Sequence, residues 1–205
     1  MPEPTPRQKI SQTEMFGQGN IEIILTGDTF DDCQRAALAY ADEHKLTFVH
    51  PFDDPAIIEG QGTVGFEILH DRPETDVVIV PIGGGGLAAG AGAYLKQRNP
   101  AIQIYGVEPA GAPSMKTALE HGGPVTLPEI NRFVDGAAVK RIGDLTYRYC
   151  RDLLDDMRLV PEGKICTTIL ELYNKDAIVA EPAGALSVAA LDFYRDEIAG
   201  KTVVC

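Results

Sequence analysis

The segment VVIVPIGGGGLAAGAGAYL, Val77 to Leu95, joins an apolar run to four consecutive glycines and then to a helix-forming stretch. Backbone without Cβ atoms can turn sharply and bring several N–H groups close to a ligand. The helix that follows adds its own free N–H groups and the positive end of its dipole, which together suit a phosphate. Tight packing of a helix on a sheet also uses small residues, but four glycines in a row exceed what packing requires. The predicted chemistry is phosphate binding at the main-chain N–H groups of Gly84 to Leu87.

The glycines alone leave the identity of the phosphate open. Gly84, Gly86 and Ala89 fit G-x-G-x-x-A, and Glu108 ends an apolar run about 20 residues later, where a dinucleotide's ribose-binding acid would stand. The single phosphate of pyridoxal phosphate fits the same cup. His50 opens a turn rich in Pro and Asp, a setting that favours a hydrogen-bonded turn histidine over a catalytic one. The four cysteines, Cys33, Cys150, Cys166 and Cys205, form no C-x-x-C pair and have no histidine at ligand spacing. They are expected to be unpaired, mostly buried thiols in a reducing compartment. No metal site is predicted.

The elements that must position the glycine run alternate between strand and helix. Strands are expected over Ile21–Thr26, Thr47–His50, Asp76–Pro81, Ile102–Glu108 and Lys201–Cys205. Asp76–Pro81 is uninterruptedly apolar, as a parallel strand buried on both faces should be. Helices are expected from Asp28, as cap, to His44, then over Ala56–His70 and from the glycines to Arg98. Ser114–His121, Asp144–Met157, Glu162–Asn174 and Pro182–Phe193 complete the set, and Gly122–Gly136 reads as loop. Gly60, Gly62 and Gly65 weaken the helical signal of Ala56–His70. This alternation specifies an α/β fold with a largely parallel sheet.

Composition excludes several classes. Of 205 residues, 30 are acidic and 18 basic, giving a net charge of −12, which repels nucleic acid and anionic membranes. Neither an apolar run of about 18 residues nor a basic-then-apolar leader occurs, so a cytoplasmic protein is expected. The chain opens on Met1–Lys9 with no element before it and stops within an apolar run. An internal piece of something longer is the expectation.

Five segments carry a resemblance: HPFDDPAIIEGQGT (His50–Thr63), VVIVPIGGGGLAAG (Val77–Gly90), YGVEPAGAPS (Tyr105–Ser114), VDGAAVKRIGDLT (Val134–Thr146) and AEPAGALSVAAL (Ala180–Leu191). Their order and spacing resemble threonine dehydratases, lyases of the fold-type II pyridoxal-phosphate class, whose architecture is tryptophan synthase β-like. Serine dehydratase, serine racemase and cysteine synthase belong to the same class. MPEPTPRQKISQTEMFG and ILTGDTFDDCQRAA are especially similar to the biosynthetic branch. The resemblance implies pyridoxal 5′-phosphate as cofactor, with Gly83 to Gly86 and Leu87 around its phosphate and Glu181 near the cofactor wall. It implies an amino-acid substrate, a homo-oligomer in the complete enzyme, and deamination of L-threonine to 2-oxobutanoate on the way to isoleucine. Residues 1–45 would be part of the small domain and 46–205 most of the large one. Asp135–Gly136 matches a family turn of structural role. Glu108 matches one carboxylate of a cation site in some relatives, but Ser114 stands where those relatives place an aspartate, which argues against a metal here.

Three further parts implied by the resemblance are missing from the chain. These are a lysine in a Ser-Phe-Lys-type motif, an asparagine in a Gly-Asn-His-type motif and a ring-contacting serine expected beyond Cys205. The eight lysines, Lys9, Lys45, Lys96, Lys116, Lys140, Lys164, Lys175 and Lys201, all lie outside the required context. The lysine supplies both covalent attachment and proton transfer, so this chain is expected to lack a catalytic residue and to give no turnover alone.

Overall fold

A computed structural model describes residues 1–205, which divide into two compact units, Met1–Val49 and His50–Cys205. In the first unit, α1 spans Arg7–Gly17 and α2 spans Phe30–His44. The cap of α2 is Thr29 rather than the expected Asp28; its hydroxyl accepts the N–H of Asp32 at 3.2 Å. The strand expected over Ile21–Thr26 is not formed. Its backbone meets only the chain start, through Met1 to Ile24 O, Thr26 N–H to Met1 O and Glu3 N–H to Gly27 O, and no continuous ladder builds. Thr47–His50 is likewise assigned to no strand.

The second unit is built on four parallel strands, β1 (Val77–Pro81), β2 (Gln103–Pro109), β3 (Asp156–Val160) and β4 (Val203–Val204), in the order β3-β2-β1-β4. Its helices are α3 (Pro55–Asp71), α4 (Gly86–Arg98), α5 (Ser114–His121), α6 (Asp144–Leu153), α7 (Glu162–Asp176) and α8 (Pro182–Ala190). Alternate residues of the central strands face opposite layers. Val77, Ile79, Tyr105 and Val107 form one core with Ile165 of α7 and Leu186, Ala189 and Ala190 of α8. On the opposite face, Gly92 of α4 lies against Ile104 and Leu153. Helices therefore cover both faces, as the continuous apolar run of β1 requires. No helix is long and apolar enough to cross a membrane.

Two further expectations are corrected. The helix expected to Met157 ends at Leu153, and Asp156–Val160 is the edge strand β3. Asp155 terminates the helix by taking the Ile104 N–H at 2.7 Å and the Lys96 ammonium at 2.7 Å. The thiols are all free but not mostly buried: Cys150 is buried, Cys33 half-buried, and Cys166 and Cys205 exposed.

The glycines of α3 have a packing role. A Cβ on Gly65 would stand 2.8 Å from the Ala91 carbonyl, and one on Gly90 would stand 2.1 Å from the Ile58 carbonyl. Small residues on both helices let α3 and α4 approach backbone to backbone, so the glycines that weaken helix propensity are what this crossing needs. Gly60 is different, with nothing within 4 Å of a Cβ. Gly60→Ala should therefore stabilise the fold by about 0.5–1 kcal/mol through helix propensity. Gly90→Val should destabilise it by at least about 1–3 kcal/mol through overpacking. Urea denaturation of both variants checks the pair, and equal effects would contradict the close crossing.

Candidate anion-binding site

β1 delivers the chain to Ile82, whose N–H still donates to Val107 O at 2.8 Å, and the glycine run begins immediately after it. Gly85 adopts φ +92°, a left-handed conformation that glycine tolerates and other residues resist, and it is the N-cap of α4. Each glycine is also closely approached. A Cβ on Gly83 would lie 3.0 Å from the Ala137 backbone, on Gly84 2.2 Å from the Phe52 ring, and on Gly86 3.0 Å from Phe52 Cβ. One on Gly85 would meet Met115 at 2.9 Å and Thr146 at 3.0 Å. The loop is thus a cradle that any side chain would fill.

The orientation of the loop peptides follows from α6. The Thr146 hydroxyl donates to Gly84 O at 2.7 Å, and the Cys150 thiol points at Gly85 O at 3.8 Å. In a trans peptide the next N–H points opposite to the carbonyl. The amides of Gly85 and Gly86 therefore face away from α6. The first α4 amide to be answered is that of Ala89, by Gly85 O at 2.9 Å, and Gly83 to Ala88 donate to no acceptor within the chain.

Two neighbouring helix starts are satisfied by carboxyl groups from elsewhere in the chain. Asp53 accepts the N–H groups of Asp144, Leu145 and Thr146 at 3.1, 2.9 and 3.0 Å, sealing the N-terminus of α6. Glu108, at the end of β2 and fully buried, accepts from Met115 at 2.6 Å and Lys116 at 3.0 Å at the start of α5, with Ser114 Oγ at 3.4 Å. Both answer amides that a helix N-terminus leaves unpaired, Asp53 as a carboxylate and Glu108 as a buried acceptor. The start of α4 has no such side-chain cap, so its outward N–H groups are left for an anion.

Glu108 settles one alternative. A ribose-binding acid must be accessible, whereas this carboxyl is sealed under α5 and cannot reach a dinucleotide. Ser114, the residue in place of an aspartate, joins it as a donor. Burial pushes the Glu108 carboxyl up to about 8 against the pull of the Lys116 and Met115 N–H groups. Burial, with Glu108 nearby, also pushes the Cys150 thiol up to about 12.

The remaining expected residues fall into place unevenly. Leu87 is half-buried in the first turn of α4. Glu181 is exposed at the N-cap of α8, and its carboxylate lies 3.2 Å from where a Cβ on Gly136 would stand. Gly136 O in turn lies 3.3 Å from a Cβ on Gly83, so Glu181, the Asp135–Gly136 turn and the glycine loop form one continuous wall. His50 is a turn histidine whose Nδ1 accepts backbone N–H groups. Phe52, Asp53 and Thr146 were not anticipated. Asp53 lies in a turn recognisable only as Pro- and Asp-rich, and nothing local in the sequence connects it to a helix some 90 positions on.

Glu108 gives a pH test. Its folded value lies above that of an unfolded glutamate, so the folded chain holds the extra proton. That contribution to stability is complete below about 4.5 and is lost as pH rises towards about 8. Between pH 6.5 and 8, stability should fall by roughly 1–2 kcal/mol in the native chain. Glu108→Gln should lack this slope, and denaturation series for the two proteins check it; parallel slopes would contradict the assignment.

The chain matches the family model described as "Pyridoxal-phosphate dependent enzyme" over residues 1–205. It is 56% identical over 206 residues to L-threonine dehydratase biosynthetic IlvA of Halalkalibacterium halodurans, covering all of this chain and 50% of that protein. The same-named protein of Bacillus subtilis is also 56% identical, with 49% of its length covered. The processed form of threonine deaminase isoform 2 from Solanum lycopersicum superposes with a TM-score of 0.89 at 37% identity, over 100% of this chain and 59% of that one. The chain spans about half the length of the curated relatives it matches. By fold, sequence and glycine loop together, it belongs to the pyridoxal-phosphate dependent enzyme family.

Proposed function

We propose that this chain is the phosphate-holding part of a threonine ammonia-lyase that converts L-threonine to 2-oxobutanoate and ammonia. The observation that carries the reaction is the 56% identity to biosynthetic threonine dehydratases along the whole chain. The unanswered amides of Gly83 to Ala88 support the cofactor's place in it.

The cradle fits the phosphate of pyridoxal 5′-phosphate: it is open to backbone donors, closed to side chains, and at a helix start. In this reading Gly83, Gly84, Gly85, Gly86 and Leu87 hold that phosphate through N–H groups. Thr146 and Cys150 fix the direction in which those groups point. Glu181 and the Asp135–Gly136 turn line the adjoining wall, where a carboxylate can orient the amine of an amino acid. When bound, the cofactor supplies an electron sink for loss of the substrate's α-proton. Net, the hydroxyl leaves as water, a water is consumed, and the amine leaves as ammonia. In this reading residues 46–205 are most of a large domain that contributes the phosphate site, and residues 1–45 are part of a small one; the compact units themselves divide between Val49 and His50. The lysine that attaches the cofactor belongs to the remainder of the enzyme, which is a cytoplasmic homo-oligomer in this reading.

The longer enzyme carrying this chain should release equal amounts of ammonia and 2-oxobutanoate from threonine, with kcat/KM higher than for serine. Binding of pyridoxal phosphate without release of ammonia from either amino acid would overturn the reaction. For the 205-residue chain itself, Gly84→Asp should weaken sulfate binding at least about tenfold, since its Cβ collides with the Phe52 ring that packs on the loop and its carboxylate adds like charge. Calorimetric titration checks it, and unchanged affinity would place the anion elsewhere.

A further inference from the structure

The turn beside the glycine loop has a titratable ring at its centre. His50 Nδ1 accepts the N–H of Phe52 at 3.2 Å and that of Asp53 at 2.8 Å. A nitrogen that accepts N–H groups carries no proton, so the ring is neutral with its proton on Nε2. The same ring meets Phe52 edge-on, with centroids 4.7 Å apart. Phe52 lies against Gly84 and Gly86, and Asp53 holds the three leading amides of α6. Both contacts that flank the anion cradle thus hang on two backbone amides that share one imidazole lone pair.

Protonation of Nδ1 would turn that shared acceptor into a donor facing two donors. The charges that bear on the ring are Asp53 and Asp54, which favour its protonation. Burial disfavours it more strongly and holds the imidazole below its ordinary value. Glu108, which titrates at about 8, sits beneath the loop next to Met115 and is separated from His50 in pH range.

We propose that His50 is a positioning residue of the anion site, a proton-sensitive latch whose neutral ring seats Phe52 against the glycine loop and Asp53 on α6. This deepens the anion-site reading and rests on it. Acid should release the latch, and the competent population should fall with pH.

Sulfate is the suitable probe, because its charge is constant between pH 5 and 7.5. In calorimetric titrations of the 205-residue chain, sulfate affinity should weaken roughly threefold to tenfold from pH 7.5 to pH 5. His50→Asn keeps a turn acceptor for the same two amides without titrating. It should bind sulfate near the native level at pH 7.5 and show little pH dependence. His50→Ala should bind weakly at both pH values. A flat native profile, or the native pH dependence persisting in His50→Asn, would overturn the latch. Ring nitrogen NMR of the native chain gives a test that needs no variant: Nδ1 should be the unprotonated nitrogen at pH 7.5, and a protonated Nδ1 there would overturn it equally. Absence of sulfate binding at every pH would instead overturn the anion-site reading, and with it the role of His50.

Discussion

The hydrogen bond from the Thr146 hydroxyl to Gly84 O is the constraint on which the site depends. A glycine run has no preferred orientation of its own, since its peptides rotate at little cost. Anchoring one carbonyl to α6, and placing the Cys150 thiol beside the next, turns the intervening amides to the opposite side. The loop then meets an incoming anion with donors already aligned. A donor array fixed before binding loses less entropy on binding, which is why a rigid loop binds better than the same glycines left free.

That anchor requires α6 to be in place, and carboxyl groups that answer helix-start amides do much of this work. Asp53 seals the α6 N-terminus from the turn before α3, and Glu108 seals the α5 N-terminus from the end of β2. Met115 and Thr146, the two side chains nearest Gly85, lie at the starts of these capped helices. The parallel sheet brings the C-terminal ends of β1 and β2 side by side, and with them the glycine loop and Glu108. Ligands of open parallel sheets bind at these ends.

The parts of this arrangement that were legible in the sequence are those set by near neighbours. The apolar run of β1, the glycine loop and the helix Ser114–His121 stand where composition and spacing place them. Asp53, Phe52 and Thr146 were not legible, because their roles join segments distant along the chain. Glu108 was misleading: at the end of a strand it matched a ribose acid, and only the packing of α5 above it shows a buried cap. Ile21–Thr26 has the residues of a strand but no partner with which to complete a ladder. β3 was hidden because it follows α6 with no glycine or proline between, and Asp155 ends the helix through contacts far away in sequence.

Whether the outward amides of the glycine loop receive the cofactor's phosphate is tested most directly by amide NMR of the isotopically labelled chain titrated with pyridoxal phosphate. The amide resonances of Gly84 to Leu87 should move together and saturably, with those of α5 and α6 little changed. Shifts confined to residues around the lysines, with the glycine amides unmoved, would contradict the site.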